Sequence, residues 1–286
     1  MIARSGLRGL LPAVLTLALA LAAAQAPARA ADSLRIASFN IENLGPAKRD
    51  RPQVLAYLAQ VIRKFDVVAV QEVSDVSGKA PAALLSAINA GGGHYRMLLS
   101  ERTGRQADDK ASQEQYAFYL DDDRVEVVDA GAHFDDSADD LFQREPFTAV
   151  LALKGTDLRL AVTTIHTAPT RAVAEIGALA VVYRAVLARY PGVASHLILG
   201  DFNAGCTYAT PAKLDALEIR RPPFHWIVPD AADTNLNPNK ACAYDRIVAD
   251  SALFPRFERW GIADWFTDDG ISDHWPVWVE FAAGAP

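Results

Sequence analysis

The chain is expected to fold as an α/β four-layer sandwich: two packed, mainly antiparallel β-sheets flanked by helices. Three observations lead there. Helices alternate with strands at first, but strands dominate afterwards. Many of those strands alternate apolar with polar residues, whereas the strands of one doubly wound sheet would run continuously apolar. Polar residues of the catalytic type collect at strand ends, which makes one rim of the sandwich a site.

The elements follow in order. Leu34 to Phe39 alternate and end in Asn40, so they read as a strand. Pro52 opens a helical pattern with Val54, Leu55, Leu58, Val61 and Ile62 on one side. Asp66 leads into the apolar strand VVAVQEV, which finishes at Gln71 and Glu72. Ala80 to Asn89 is a short helix stopped by Gly91 to Gly93. Strands are expected at 94–99, 115–120, 124–128, 147–153 and 158–165, interrupted by a polar loop over 101–113 and an acidic loop over 134–145. Arg171 to Arg189 is the longest helical pattern, with Ala172, Ile176, Leu179, Val182 and Val186 as its buried stripe. His196 to Leu199 form a strand into GDFN, 211–219 a short helix, and FHWIVP, RIVAD and HWPVWVEF later strands. No repeat, coiled coil or linker divides the chain, so residues 31–286 read as one domain.

Residues 1–30 stand apart. Arg4 and Arg8 precede an apolar run from Leu10 to Ala24, and AQAPARA follows, which is the layout of a secretory signal peptide cleaved after Ala30. A membrane anchor is the alternative, but the run is short, rich in Ala and followed at once by an Ala-x-Ala site. Secretion or periplasmic residence is the expectation, with no transmembrane segment in the mature chain. The formal charge is −7, and cleavage at Ala30 removes three Arg and no acid. So acidic a chain is poorly suited to diffuse binding of nucleic acid, although a metal centre can supply local positive charge. Cys206 and Cys242 are the only cysteines. In an exported chain a disulfide between them is allowed and expected; two buried thiols or a thiol nucleophile are the other readings.

Six polar clusters mark strand ends: SFNIEN at 38–43, VQEV at 70–73, TTIHT at 163–167, LILGDFN at 197–203, AYDRIV at 243–248 and ISDHWPV at 271–277. Such residues do not belong at buried strand tips unless something pairs with them. Glu72 suits a hard cation, or else a surface ion pair. Asp201 and Asn203 point the same way in an extended segment and can reach one centre; alone they would also fit an ordinary turn. Asp273 can bind metal or fix an imidazole, and His274 and His166 can each transfer a proton or donate to phosphate. Glu114 can hold His166 as the outer member of a carboxylate–histidine pair. Asp245 beside Arg246 could, on local grounds, be a plain surface ion pair. Together the clusters suit hydrolysis of a phosphodiester with a divalent metal.

These segments carry a resemblance. FNIENLG at 39–45, QEV at 71–73, QEQY at 113–116, REPF at 144–147, HTAPTRAVAEI at 166–176, GDFNAGCTY at 200–208, WIVPDAADT at 226–234, CAYDRIV at 242–248 and ISDHWPV at 271–277 are similar to secreted deoxyribonuclease I-like members of the endonuclease/exonuclease/phosphatase superfamily. The likeness spans nearly all of 34–280. It implies a four-layer sandwich and a largely sequence-nonspecific endonuclease that cleaves DNA, double-stranded here, with Mg²⁺ or Mn²⁺, leaves 5′-phosphate ends and acts as a monomer. It implies that His166 and His274 are catalytic, with Glu114 and Asp245 as their acid partners. Asn40, Arg144 and Asn203 would bind substrate or phosphate, and Glu72, Asp201 and Asp273 the metal. Structural Ca²⁺ is expected in two loops, at Asp233, Asn235 and Asn237 and at Asp136, Asp140 and Glu145; an Asx-rich turn and a solvated acidic loop are the alternatives. The resemblance also places the family disulfide on Cys206 and Cys242.

The departures concern the grip on DNA. Related animal enzymes have arginine at the positions of Glu42 and Ser74 and tyrosine at or near Ser112, groups that enter the minor groove. Here they are acidic or small, although the longer 101–113 loop offers Arg102, Arg105 and Lys110. Two other readings therefore stand beside the nuclease: a secreted phosphodiesterase of the same superfamily acting on lipid headgroups or small phosphate esters, and a non-catalytic binding protein on this scaffold.

Overall fold

A computed structural model describes residues 33–105 and 113–284. The expected signal peptide, its cleavage point, Lys110 and Ser112 lie outside the described residues. The elements are β1 (Ser33–Asn40), α1 (Pro46–Arg49), α2 (Pro52–Ile62), β2 (Val67–Val73), α3 (Lys79–Ala90), β3 (Tyr95–Leu99), β4 (Gln115–Asp121), β5 (Val125–His133), β6 (Phe147–Leu153) and β7 (Arg159–His166). They continue with α4 (Ala172–Arg189), β8 (Ser195–Asp201), α5 (Pro211–Leu214), β9 (Phe224–Trp226), β10 (Asp245–Asp250), β11 (Phe257–Ile262) and β12 (Val277–Ala282).

Two six-stranded sheets result, in the orders β11-β12-β1-β2-β4-β3 and β5-β6-β7-β8-β10-β9. Each is mixed but mainly antiparallel. The parallel pairs are β1 with β2 and β7 with β8, at the middle of their sheets. The period-two pattern of the strands explains the layering. In β1, Leu34 and Ile36 join the core between the sheets, while Ala37 and Phe39 pack outward with α2 and α3. In β8, Leu197 and Leu199 face the inter-sheet core, while Ile198 packs outward under the α4 residues Ile176 and Leu179. Three apolar clusters thus fill the three spaces of a four-layer sandwich, as the strand pattern leads one to expect.

The boundaries differ in places. FHWIVP is strand only as far as Trp226, HWPVWVEF becomes strand only at Val277, and 211–219 divides into α5 and a 3₁₀ turn at Glu218–Arg220. Strand β11, FERWGI, carries no apolar alternation that would announce it. It lies on a sheet edge, where charged residues discourage further pairing. Its Gly261 lies against the Trp278 indole, which leaves no room for a side chain.

Candidate active site

Strand register assembles the polar residues at one rim. Asn40 pairs with Gln71 where β1 and β2 end, next to Glu72. Asp201, at the end of β8, lies between His166 of β7 and Asp245 of β10. His274 arrives just ahead of β12 and bridges to Asn235. Gly200 precedes Asp201 at φ 151°, where a Cβ would collide with the Ile165 carbonyl, so close β7–β8 packing at this point needs glycine. Glu42, Asn43, Glu72 and Asn203 adopt left-handed φ values of 49°, 54°, 61° and 47°. That is costly for residues with a Cβ and is concentrated around this rim.

Two carboxylate–histidine pairs face one another. His166 Nδ1 lies 2.9 Å from Glu114 Oε2, and His274 Nδ1 lies 2.8 Å from Asp245 Oδ2. A carboxylate at Nδ1 accepts a hydrogen bond from the ring N–H there and leaves Nε2 facing the site. Both Nε2 atoms converge on one oxygen, Asp201 Oδ2, at 3.5 Å and 3.7 Å. Asn40 Nδ2 donates to that oxygen at 3.0 Å and to Glu72 Oε1 at 2.9 Å. Arg144 ion-pairs with Glu114 Oε1 at 3.1 Å and donates from Nε to the His166 carbonyl at 3.2 Å. Asn203 donates to the Thr167 carbonyl, and its backbone N–H goes to Asp201 Oδ1.

The electrostatics follow from these contacts. Burial would raise the Asp201 carboxyl, but His274 and His166, then the Asn203 amide and Asn40, hold it low. Burial likewise works against Glu114 ionisation, yet His166 and Arg144 keep it ionised. His274 would be pushed down by burial, but Asp245 and Asp201 carry it up to about 10. His166 moves in the same direction, burial being outweighed by Glu114. The rim therefore holds two imidazoles, both favoured in the charged form, around a fixed anion.

Asp201, Asp245 and His274 bring three ligand atoms within 4.8 Å of one another. Asp245 is already hydrogen-bonded to His274 at 2.8 Å, which leaves that group less free to surround a cation. Glu72 offers a harder site. Among the described residues its oxygens accept from Asn40 and, at 2.9 Å, from the Asn43 N–H, leaving lone pairs for a cation. Asp273 stands at the exposed edge, with Oδ1 3.9 Å from His274 Nε2. All-oxygen donors suit a hard divalent ion.

In the two candidate calcium loops the oxygens are partly engaged. Asp233 Oδ1 accepts from Asn235 Nδ2 at 3.0 Å and from the Cys242 N–H at 3.2 Å. Asn235 Oδ1 and Asn237 Oδ1 each accept the N–H two residues on, at 2.9 Å and 3.0 Å. Asp136 accepts the Phe142 N–H, Asp140 pairs with Arg105 at 3.0 Å, and Glu145 accepts from the Thr103 hydroxyl. Cys206 and Cys242 are bridged, with a Cα separation of 5.6 Å.

Sequence reasoning missed the supports. Buried Thr234 donates to Asp245 Oδ2 at 2.7 Å and accepts the Tyr244 and Asp245 N–H groups at 3.1 Å. Ser272 donates to the Asn40 carbonyl at 2.7 Å and accepts the His274 N–H. Buried Lys48 donates to the carbonyls of Ile41, Glu42 and Ile271, tying the end of β1 to the His274 segment. The Tyr116 hydroxyl accepts the His166 N–H at 3.0 Å. The idea of a surface Asp245–Arg246 ion pair is corrected: both are buried, and Arg246 pairs with Asp230 at 3.0 Å. Arg102 donates to the carbonyls of Ser74 and Gln113 and to Gln115 Oε1, so it is spent on its own surroundings.

Comparison with known proteins agrees with this geometry. Residues 37–274 match the model of the Endonuclease/Exonuclease/phosphatase family. The chain is similar to "Deoxyribonuclease-1" of Homo sapiens, 36% identical over 279 residues, covering 91% of this chain and 96% of that protein. It is similar to "Deoxyribonuclease-1-like 1" of Homo sapiens at 34% identity, covering 88% of this chain and 86% of that protein. Among solved structures, an endonuclease/exonuclease/phosphatase from Bacteroides vulgatus superposes with a TM-score of 0.63 at 18% identity, over 88% of this chain and 99% of that one.

Proposed function

Since this chain belongs to the endonuclease/exonuclease/phosphatase family, we propose that it is a divalent-metal-dependent endodeoxyribonuclease that hydrolyses DNA with little sequence specificity and leaves 5′-phosphate ends. The observation that carries the reading is the convergence of His166 and His274 Nε2 on Asp201 Oδ2. A phosphoryl group over that point would have one imidazole on the side of the attacking water and the other on the side of the leaving oxygen. Each Nδ1 carboxylate fixes its ring and stabilises the imidazolium formed as a proton moves. Asn40, Asn203 and the Arg144 guanidinium would orient the phosphate oxygens. Glu72 and Asp273 would hold Mg²⁺ or Mn²⁺, which when bound stabilises the negative charge of the reacting phosphate.

The relatives named deoxyribonuclease and the motifs shared with them support DNA as substrate, duplex DNA first. Acidic Glu42 and neutral Ser74, on the chain just past the ends of β1 and β2, favour keeping a second reading, a phosphodiesterase for lipid headgroups or small esters. Export with cleavage after Ala30, a monomeric mature enzyme, and Ca²⁺ in the Asp233 and Asp136 loops belong to the same proposal. No helix among the described residues is long and apolar enough to cross a membrane. The test is a plasmid-nicking assay on residues 31–286 with Mg²⁺ or Mn²⁺, run beside sphingomyelin and a small phosphodiester. Nicking that stops with chelator, and that falls at least about 10²-fold in His166→Ala and in His274→Ala, is expected. Rapid lipid cleavage without DNA cleavage would overturn the nuclease.

A further inference from the structure

The bulkiest fully buried side chain is a charged one, Arg246, only 1% exposed. It follows Asp245 on β10, so its side chain leaves the opposite face of the strand. Its guanidinium donates from Nη2 to the Ala204 carbonyl at 2.6 Å and from Nη1 to the Val228 carbonyl at 2.9 Å. Among the described residues its one salt bridge is to Asp230, half-exposed and shared with Arg220, and the guanidinium lies 5.5 Å from the Trp226 ring. Among the described residues its Nε has no hydrogen-bond partner. This is an expensive way to fill space. A buried charge with an unmatched donor loses more solvation than one ion pair returns, and an apolar side chain of similar volume would serve stability as well or better.

What an apolar residue cannot do is grip two carbonyls at once, which a planar guanidinium does. The two carbonyls are not ordinary ones. Ala204 directly follows Asn203, on the segment that leaves β8 just past Asp201. Val228 begins the segment that runs through Asp230 to Thr234, whose hydroxyl holds Asp245 Oδ2 at 2.7 Å. The same end of β10 also receives the Phe202 N–H at the Tyr244 carbonyl, at 3.0 Å. Burial drags the guanidinium down to about 10, with Asp230 resisting, so it remains charged at neutral pH.

We propose that Arg246 is a positioning residue for the hydrolytic reaction, clamping the Asn203 segment and the Thr234 segment to β10 so that Asp201, Asn203 and the Asp245–His274 pair keep one geometry. The role rests on the nuclease reading only for its kinetic consequence. The clamp itself is a property of the fold, measurable without substrate. It acts on geometry at the reacting centre, so its loss should lower kcat and leave substrate affinity nearly unchanged, since misplacement of reacting groups is felt in the transition state.

The experiment compares Arg246→Met, Arg246→Lys and Asp230→Asn with wild type by kcat and KM on plasmid, by thermal unfolding and by amide hydrogen exchange. Met keeps volume without hydrogen bonds, and Lys keeps charge with a single donor group. Asp230→Asn leaves the carbonyl clamp and removes the ion pairs to Arg246 and Arg220. The expected order of kcat is wild type, Asp230→Asn, Arg246→Lys, Arg246→Met. The last should fall at least about tenfold with KM within about threefold, and Lys should recover part of the loss. Exchange should quicken at Tyr244 and Asp245, whose amides depend on Thr234. If the Met variant does not fold, the order of the other three decides the matter. Wild-type kcat in folded Arg246→Lys, or a loss confined to KM, overturns the proposal. Should wild type itself leave DNA intact, the nuclease reading fails, and unchanged exchange at Tyr244 and Asp245 would then separately sink the clamp.

Discussion

Replacing Asp245 by Asn asks whether the His274 pair is a working acid–base group. Asp245 Oδ2 accepts from His274 Nδ1 at 2.8 Å and from Thr234 Oγ1 at 2.7 Å. Asn can keep one oxygen in that position at nearly the same volume, so the shape survives and the negative charge is lost. Burial alone drives His274 down, and Asp245 is the larger of the carboxylates that carry it up to about 10. With Asp245 neutral, the ring should titrate much nearer its ordinary 6.5. Above neutral pH the variant imidazole is then mostly uncharged, and its tautomer is no longer fixed by a carboxylate. Positioned proton transfer contributes about 10²- to 10⁴-fold. We expect kcat to fall about 10³-fold, or ~4 kcal/mol of barrier, with KM within about threefold. Initial nicking rates across pH, beside thermal unfolding of the same preparation, measure it. The alkaline limb should move toward acid by at least about one unit. A folded variant within about tenfold of wild-type kcat, with its pH profile unmoved, refutes the reasoning.

Other expectations concern stability and grip. Reducing Cys206–Cys242, which spans 36 residues, should cost roughly 3–4 kcal/mol of stability in the chain-entropy account; two free thiols in denatured, unreduced, exported protein would contradict the bridge. In chelator, the raised His274 stabilises the folded state fully below its ordinary 6.5, and that contribution disappears as pH rises through about 10. Melting temperature should thus fall across this window more steeply in wild type than in His274→Gln; parallel curves would deny the linkage. Changing Glu42 and Ser74 to Arg should tighten duplex binding and steepen the log-affinity against log-salt slope by about 0.9 for each new phosphate contact. Saturated turnover should change less, because binding shared by ground and transition states does not speed chemistry. An unaltered slope in the double variant would place DNA elsewhere.

Much of this arrangement was legible along the chain. Period-two burial and polar residues at strand tips were enough to expect two covered sheets and a rim bearing Asn40, Glu72, His166, Asp201 and His274. What escaped notice depends on partners far away in sequence. Thr234, Ser272 and Lys48 carry no local pattern, and their roles exist only after β1, β10 and the His274 segment meet. Strand β11 was hidden because an edge strand shows little burial alternation. The start of β12 was set too early because Pro276 has no N–H to give a ladder. The alternative of an Asp245–Arg246 pair is weakened by the strand itself, since neighbours on a strand point to opposite faces and seldom pair.

The pairing of the first strand with the last carries a temporal meaning. Ser33 to Ser38 of β1 lie along Ala282 to Val277 of β12. The Asn40 carbonyl waits for a hydroxyl 232 residues later, on Ser272. At about 5–20 residues per second, a ribosome needs roughly ten to fifty seconds to cover that interval. Throughout it the nascent chain holds Asn40 without the His274 segment that completes the rim. Until then the Asp245 carboxylate has no imidazole to hold. The rim is complete only when the closing strand lies beside the opening one.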